Sequence, residues 1–320
     1  MVNRNSRRLP LIVLLGPTAV GKTTLSLELA QIIKGEIVSA DSRLIYQGMD
    51  IGTAKPTAAE RSRVRHHLID VATPAEIFTL GEYQRRAYQA IEDITARHRI
   101  PLMVGGSGQY IRAVVEGWNI PEVPPDWALR RELEAVAESQ GSEALHQRLA
   151  QLDPAAAQRI DHRNVRRVIR ALEVILKTGE PISDLQTKSP PPYQVLQVGL
   201  TRPREELYAR IDQRIDAMVA AGLVEEVATL GEVYGWRAPA LSGLGYRQIG
   251  HYVRGELSFD EAVQLLRKDT RRFVRQQANW FGVDDERIHW FDLSVVDECV
   301  VVLFVSCWLG LSCCVNDYTK

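Results

Sequence analysis

Leu11-Ile12-Val13-Leu14-Leu15 runs directly into Gly16-Pro17-Thr18-Ala19-Val20-Gly21-Lys22-Thr23. Five consecutive apolar residues before a glycine-proline pair predict a buried strand, and the eight residues that follow fit G-x-x-x-x-G-K-[ST]. Leu25, Leu29 and Ile32/Ile33 then recur at helical spacing, so the glycine loop lies between a strand and a helix, where a phosphate loop belongs. Gly16 and Gly21 let successive backbone N–H groups turn inward on phosphate oxygens, with Thr18, Ala19 and Val20 between them; Lys22 adds a point charge and Thr23 a hydroxyl for Mg²⁺. Kinases, ATPases and GTPases share this loop, so nucleotide or ATP binding is as compatible with it as a diphosphate is.

Outward from the loop, short apolar runs alternate with longer helical patterns, the arrangement of βαβ units around a parallel sheet covered on both faces. Candidate strands are 11–15, 36–40, 67–71 and 101–105, with a later one at 195–200. The expected fold is α/β: a parallel sheet of the phosphate-loop NTPase kind flanked by helices, with a helical insertion and a helical C-terminal region. Pro121, Pro124 and Pro125, followed by Leu129, Leu133, Val136 and Ala137, mark the insertion, and Pro190-Pro191-Pro192 closes a second linker. The predicted division is 9–117 for the first part of the core, 118–160 for the insertion, 161–293 for the rest of the core and 294–320 for an atypical hydrophobic, cysteine-containing tail. From 204 to 281 the pattern is mainly helical, with Leu207, Ile211, Ile215 and Met218 on one face and Gly222 at a helix end.

The 320 residues suffice for about two domains, and 45% hydrophobic with 25% charged residues excludes a disordered or collagenous chain. Lysine and arginine number 39 against 40 acidic residues, so no global basic field announces a nucleic-acid partner, and such a site must come from local clustering. Cys299, Cys307, Cys313 and Cys314 are the only cysteines, which leaves the body without a disulfide or thiolate metal site and reads as cytoplasmic. The run 300–315 is apolar but shorter than the roughly 20 residues that span a membrane.

In an open parallel sheet the carboxyl ends of the strands border the ligand crevice. Asp41, which follows the second strand in Ser39-Ala40-Asp41-Ser42, is expected there as a Mg²⁺ ligand or a general base, and Ser107, in Gly105-Gly106-Ser107-Gly108, offers a hydroxyl at the same edge. Arg163, Arg166, Arg167 and Arg170 share helical spacing opposite a stripe of Val165, Ile169, Leu172 and Leu176, and Lys268, Arg271, Arg272 and Arg275 repeat that spacing. With Gln276, Gln277, Asn279 and Trp280 alongside, the two basic faces suggest RNA phosphate contacts, base-reading amides and a stacking ring. None of the histidines has zinc-ligand spacing, and no hydrolase triad motif is present.

These stretches, together with Tyr46-Gln47-Gly48-Met49-Asp50-Ile51-Gly52-Thr53-Ala54-Lys55-Pro56, Arg170-Ala171-Leu172-Glu173-Val174, Gly243-Leu244-Gly245-Tyr246-Arg247-Gln248 and 271–280, resemble the tRNA dimethylallyltransferase family over about residues 9–293. The part from Asp50 to Pro56 is the specific one, because phosphate-loop kinases lack it. The resemblance implies transfer of a dimethylallyl group from dimethylallyl diphosphate to N6 of the adenosine 3′ of the anticodon in tRNA. The phosphate loop then holds the diphosphate leaving group with Mg²⁺ on Thr23, Asp41 accepts the N6 proton, and Ser107 and Arg214 complete the catalytic set, Arg214 directed at the diphosphate. Implied tRNA contacts are Asp41, Ser42, Arg43 and Leu44; Arg166, Arg167 and Arg170; Gly243, Gly245, Tyr246 and Arg247; and Arg275, Gln277 and Trp280. The expected partners are the tRNA anticodon stem-loop and dimethylallyl diphosphate, for a cytoplasmic monomer that needs no membrane.

A small-molecule kinase using ATP is the other reading: it accounts for the phosphate loop and Asp41 but leaves the arginine helices and 243–247 without a task. Three departures from the family pattern stand out. Ser107 occupies a usual threonine position, and Gln276 and Gly282 stand where basic residues are frequent. Nothing after Leu293 matches the family. Val300-Val301-Val302-Leu303-Phe304-Val305 reads as a β-prone, aggregation-prone run, so the tail is expected to be dispensable, with a final packed strand or helix as the alternative.

Overall fold

The computed structural model describes residues 9–311. The chain starts with β1 (Leu9–Leu15), α1 (Lys22–Ile32), β2 (Gly35–Ser39), α2 (Ala58–Arg63), β3 (His66–His67), α3 (Leu80–Ala96), β4 (Ile100–Gly105) and α4 (Gly108–Val115). After an insertion it resumes with β5 (Tyr193–Thr201) and the helices α10 (Arg204–Ala220), α11 (Leu223–Tyr234), α12 (Tyr246–Val253) and α13 (Phe259–Ala278), then β6 (Ile288–Asp292) and α14 (Glu298–Trp308). The inserted helices are α5 (Trp127–Gln140), α6 (Ser142–Leu152), α7 (Pro154–Arg159), α8 (Val165–Thr178) and α9 (Ile182–Leu185).

All six strands pair in parallel, in the order β3-β2-β4-β1-β5-β6. Residues 11–15 are fully buried, as a strand covered on both faces requires. Register fixes what meets at the carboxyl edge: Leu15 lies opposite Gly105 on β4 and Gly199 on β5, and Ser39 lies opposite Val104. The glycine loop, Asp41 and Ser107 therefore all leave the sheet at one edge, where the sequence places them.

Four expected strands are present within a residue or two of their predicted bounds; the one at 67–71 is not. Leu68 and Asp70 take positive φ (63° and 57°), so the chain leaves the extended conformation after His67. Val71 N–H turns instead to the carbonyl of Ile45 at 2.8 Å.

The insertion is larger than the expected 118–160. It is a separate unit, Glu116–Pro191, and it takes in the first arginine helix, α8. Leu133, Leu145 and Leu149 pack against Val168, Ile169, Leu172 and Ile175 in a core of its own. Ile175 rather than Leu176 completes the buried stripe, and Leu176 is exposed.

The segment after Leu293 is helical where a β-prone run was expected, in line with the alternative of a final packed element. Residues 298–308 form α14, begun by the Asp297 side chain accepting the Cys299 N–H at 2.8 Å. Val301, Val302 and Val305 are buried, and the Phe304 ring meets those of His289 and Phe291 at 4.9 and 5.3 Å. β6, which the sequence reading also passed over, supplies those two rings. Residues 1–8 and 312–320, with Cys313 and Cys314, lie outside the described residues. Each buried valine contributes about 1.5–3 kcal/mol, so their sum approaches the net stability of a domain, about 5–15 kcal/mol. Ending the chain at residue 293 should therefore sharply lower the melting temperature or prevent soluble expression. A truncated protein that melts with the full chain would show α14 to be an ornament.

Candidate active site at the carboxyl edge of the sheet

Gly16 and Gly21 adopt φ values of 151° and 120°, and a Cβ on Gly16 would stand 2.6 Å from the Leu200 carbonyl oxygen, so the loop can close only with glycine there. No side chain caps α1, and no acidic residue occupies its first turn. Its N-terminal N–H groups and positive dipole end are thus left for an anion.

The loop carbonyls point the other way and are tied down. Lys22 Nζ donates to the carbonyls of Gly16 and Pro17 at 2.9 and 2.8 Å. Arg210 Nε donates to Ala19 O at 2.7 Å and Arg202 Nε to Val20 O at 3.0 Å. Sequence reading missed both arginines as parts of the loop, although Arg210 stands one helical turn before Arg214. Gln277 closes the arrangement: its Oε1 accepts the Thr18 N–H at 2.9 Å and its Nε2 donates to Gly106 O at 3.1 Å. Its amide is thus engaged inside the protein, while the residue also lines the cavity described next.

A cavity of about 390 Å³ opens beside the loop, lined by Thr18, Asp41, Arg43, Ser107, Arg214 and Arg272 among others. Asp41 Oδ1 accepts the Arg43 N–H at 2.8 Å, and its second oxygen has no hydrogen-bond partner among the described residues. Ser107 Oγ accepts the Ser42 N–H at 3.1 Å, which leaves its hydroxyl proton free to donate. Burial lowers the Lys22 ammonium to about 8, with Asp41 opposing the shift and Arg214 adding to it. Burial likewise lowers the Arg214 guanidinium, helped by Arg210 and opposed by Asp41. Arg214 has no hydrogen-bond partner among the described residues, so a cation stands in this cavity without a protein anion in contact.

The stretch from Asp50 to Pro56 is held from a distance. One Glu226 oxygen accepts the N–H groups of Asp50 and Ile51 at 2.9 and 2.7 Å; the other accepts Gly52 N–H at 3.0 Å and the Tyr246 hydroxyl at 2.6 Å. Lys55, almost fully buried, bridges Asp50, Asp70 and the Tyr46 carbonyl at 2.6, 2.5 and 2.8 Å. Tyr246 is therefore a buried strut. No sequence pattern points to Glu226, whose backbone partners Asp50, Ile51 and Gly52 lie 174 to 176 residues away.

Other expected contacts divide in the same way. Ser42, Arg43, Gly245 and Arg247 line the cavity, Arg247 while paired with Asp269 at 2.8 Å; Gly243 packs on the Arg43 guanidinium, and Leu44 is not part of the lining. On α13, Arg272 and Arg275 are exposed, whereas Arg271 pairs with Asp212 and lies 5.3 Å over the Tyr208 ring. Trp280 is packed on Gly108 and beneath Arg112, which stands 5.9 Å from its ring. In the insertion Arg166 and Arg167 are exposed, but Arg170 is turned inward to Glu173 at 2.6 Å and to the carbonyls of Val123 and Pro121 at 3.0 and 3.3 Å. Among the described residues no cluster of three or more His, Cys, Asp or Glu could hold a metal, and no helix is long and apolar enough to cross a membrane.

A phosphate loop backed by two unneutralised cations, with an accessible carboxylate in the same cavity, defines a phosphate-loop α/β protein equipped to bind a diphosphate beside a proton acceptor. The IPP transferase family model matches residues 44–284. The tRNA dimethylallyltransferase of Herpetosiphon aurantiacus is 54% identical over 274 residues, covering 85% of this chain and 87% of that protein, and that of Chloroflexus aggregans is 56% identical over 272 residues, covering 85% and 92%. The full-length tRNA isopentenylpyrophosphate transferase of Bacillus halodurans superposes with a TM-score of 0.69 at 39% identity, over 94% of this chain and 95% of that one. A eukaryotic dimethylallyltransferase acting on tRNA shares the fold, with a TM-score of 0.78 at 24% identity over 95% and 80% of the two chains. The chain belongs to the IPP transferase family.

Arg214 is a half-buried cation without a carboxylate in contact, and such groups trade stability for function. Arg214→Gln should raise the melting temperature while weakening inorganic diphosphate binding by about 10- to 100-fold, as the loss of a charged hydrogen bond implies. Unchanged diphosphate affinity in calorimetry would take Arg214 out of the site.

Proposed function

We propose that this enzyme transfers a dimethylallyl group from dimethylallyl diphosphate to the exocyclic N6 of the adenosine 3′ of the anticodon in tRNA. The observation that carries this reading is one cavity lined by Thr18 of the phosphate loop, Arg214 and Asp41 with its open oxygen, and Lys22 close enough to feel the charges of both. The adenine leaves its stack and enters the cavity, because no carboxylate of the protein can reach N6 inside a stacked loop. N6 attacks the allylic carbon as the bond from that carbon to the diphosphate oxygen breaks. The electron pair goes to the diphosphate, which the loop N–H groups, Lys22 and Arg214 stabilise as charge develops. Ser107 donates a hydrogen bond from its hydroxyl to a diphosphate oxygen, and Asp41 takes the proton that N6 gives up.

Mg²⁺ fits this arrangement. Thr23 stands exposed in the first turn of α1 with no protein hydrogen bond to its hydroxyl among the described residues, so this hydroxyl would hold the ion next to the diphosphate. When bound, the ion neutralises part of the diphosphate charge. The tRNA backbone is met by Arg43, Arg247, Arg272 and Arg275 on the core and by Arg166 and Arg167 on the insertion, with the enzyme acting as a cytoplasmic monomer.

Unmodified tRNA incubated with dimethylallyl diphosphate labelled in the allyl group should become labelled at the adenosine, whereas γ-labelled ATP should transfer nothing to RNA or to small acceptors. Asp41→Asn, which keeps shape but cannot accept a proton, should slow transfer by about 10²–10⁴-fold with tRNA affinity retained. Wild-type turnover in that variant would assign the proton to another group, and label moving from ATP would replace this reading with a kinase.

A further inference from the structure

Three pairs of side chains join α10 to α13. The Tyr208 hydroxyl accepts from Arg275 Nη1 at 2.9 Å, Asp212 pairs with Arg271, and Asp216 pairs with Arg267. The partners rise by four residues along α10 as they fall by four along α13, so the helices run antiparallel and the pairs form a ladder with one rung per turn. The Arg271 guanidinium also lies 5.3 Å over the Tyr208 ring, which links two of the rungs.

These rungs are a poor means of adding stability. Asp212 Oδ1 and the Nε of both Arg267 and Arg271 are buried without a hydrogen-bond partner among the described residues. Each ion pair therefore gives up hydration and satisfies only part of its polar atoms, and pairs of that kind add little to stability or subtract from it. What they supply is register. An apolar seam between helices tolerates small sliding, whereas an ion pair holds its partner at a set height.

Register matters because the same two helices wall the catalytic cavity, α10 with Arg214, Ile215 and Met218 and α13 with Leu266, Phe273 and Gln277. α13 is fixed directly to the phosphate loop, since the Gln277 amide bridges Thr18 N–H and Gly106 O. α10 reaches the loop only through the long side chain of Arg210, whose Nε donates to Ala19 O at 2.7 Å. Arg214 has no hydrogen bond of its own to the protein among the described residues, so its depth follows that of α10, and Asp212 stands two residues before it. We infer that the α10–α13 ladder sets the height of Arg214 over the phosphate loop, which makes Asp212 and Arg271 positioning residues for the diphosphate. This role rests on the reading that the loop and Arg214 hold a diphosphate between them.

A double-mutant cycle tests it. Asp212→Leu combined with Arg271→Met replaces the middle rung by an apolar pair of similar size. The melting temperature should equal or exceed that of wild type, while inorganic diphosphate binding, followed by calorimetry, weakens about three- to tenfold and tRNA affinity is retained. In an Arg214→Gln background the same two changes should weaken diphosphate binding no further, because the ladder acts through Arg214. Asp212→Asn, which keeps the shape of the rung and removes its charge, gives the same cycle at smaller size if the paired variant expresses poorly. An equal loss in both backgrounds, or no loss in either, would overturn the positioning role. So would a loss of tRNA affinity with diphosphate affinity intact, which would assign Arg271 to the RNA. If Arg214→Gln alone leaves diphosphate affinity unchanged, it is the reading of the site that fails, and the ladder has nothing to position.

Discussion

Arg214 lines the same cavity as Asp41, and Lys22 lies close enough to feel both charges; burial disfavours both cations and no carboxylate touches either. A lowering of Lys22 from 10.5 to about 8 corresponds to about 3 kcal/mol held against its charged form. A protein keeps such an arrangement only where an incoming anion returns the cost, and a diphosphate carries enough charge to do so. Asp41 weakly supports both cations but keeps one oxygen open, which is what a proton acceptor needs and a committed salt-bridge partner lacks.

Much of the surrounding structure serves that tension. Parallel pairing in register brings three strand ends to one edge, and Gly16 is obligatory because Leu200 presses on it. Arg202 and Arg210 bind the loop carbonyls from outside, so the loop N–H groups face inward. Gln277 fastens α13 to both the phosphate loop and Gly106, and Glu226 fastens the Asp50–Gly52 backbone to α11 and Tyr246. Each bond joins segments far apart in sequence, so the site is assembled only when the whole core is folded.

That long range explains what could and could not be read from the chain. The glycine loop, Asp41, Ser107 and the apolar strands carry local signatures, and the structure places them as those signatures imply. The third strand was overestimated because Leu68 and Asp70 adopt positive φ, which no apolar pattern announces. Arginine spacing on α8 and α13 was legible, but spacing does not say which guanidinium turns inward: Arg170 answers the buried Glu173, and Arg271 answers Asp212. Tyr246, Gln277 and Trp280, assigned to RNA, also make contacts within the protein that no sequence pattern shows. Their partners, Glu226, Thr18 and Gly108, lie at separations where sequence patterns have no reach.

Proton uptake on diphosphate binding tests the central claim most directly. Titrating inorganic diphosphate into the protein at about pH 8.5, in buffers of different ionisation enthalpy, gives the number of protons exchanged, and the same titration of Lys22→Met supplies the contribution of the diphosphate itself. Since burial leaves Lys22 partly neutral at that pH and an anion restores its charge, wild type should take up a fraction of a proton that the variant does not. Identical proton counts for the two proteins would mean that Lys22 does not meet the diphosphate, and that the loop holds something else.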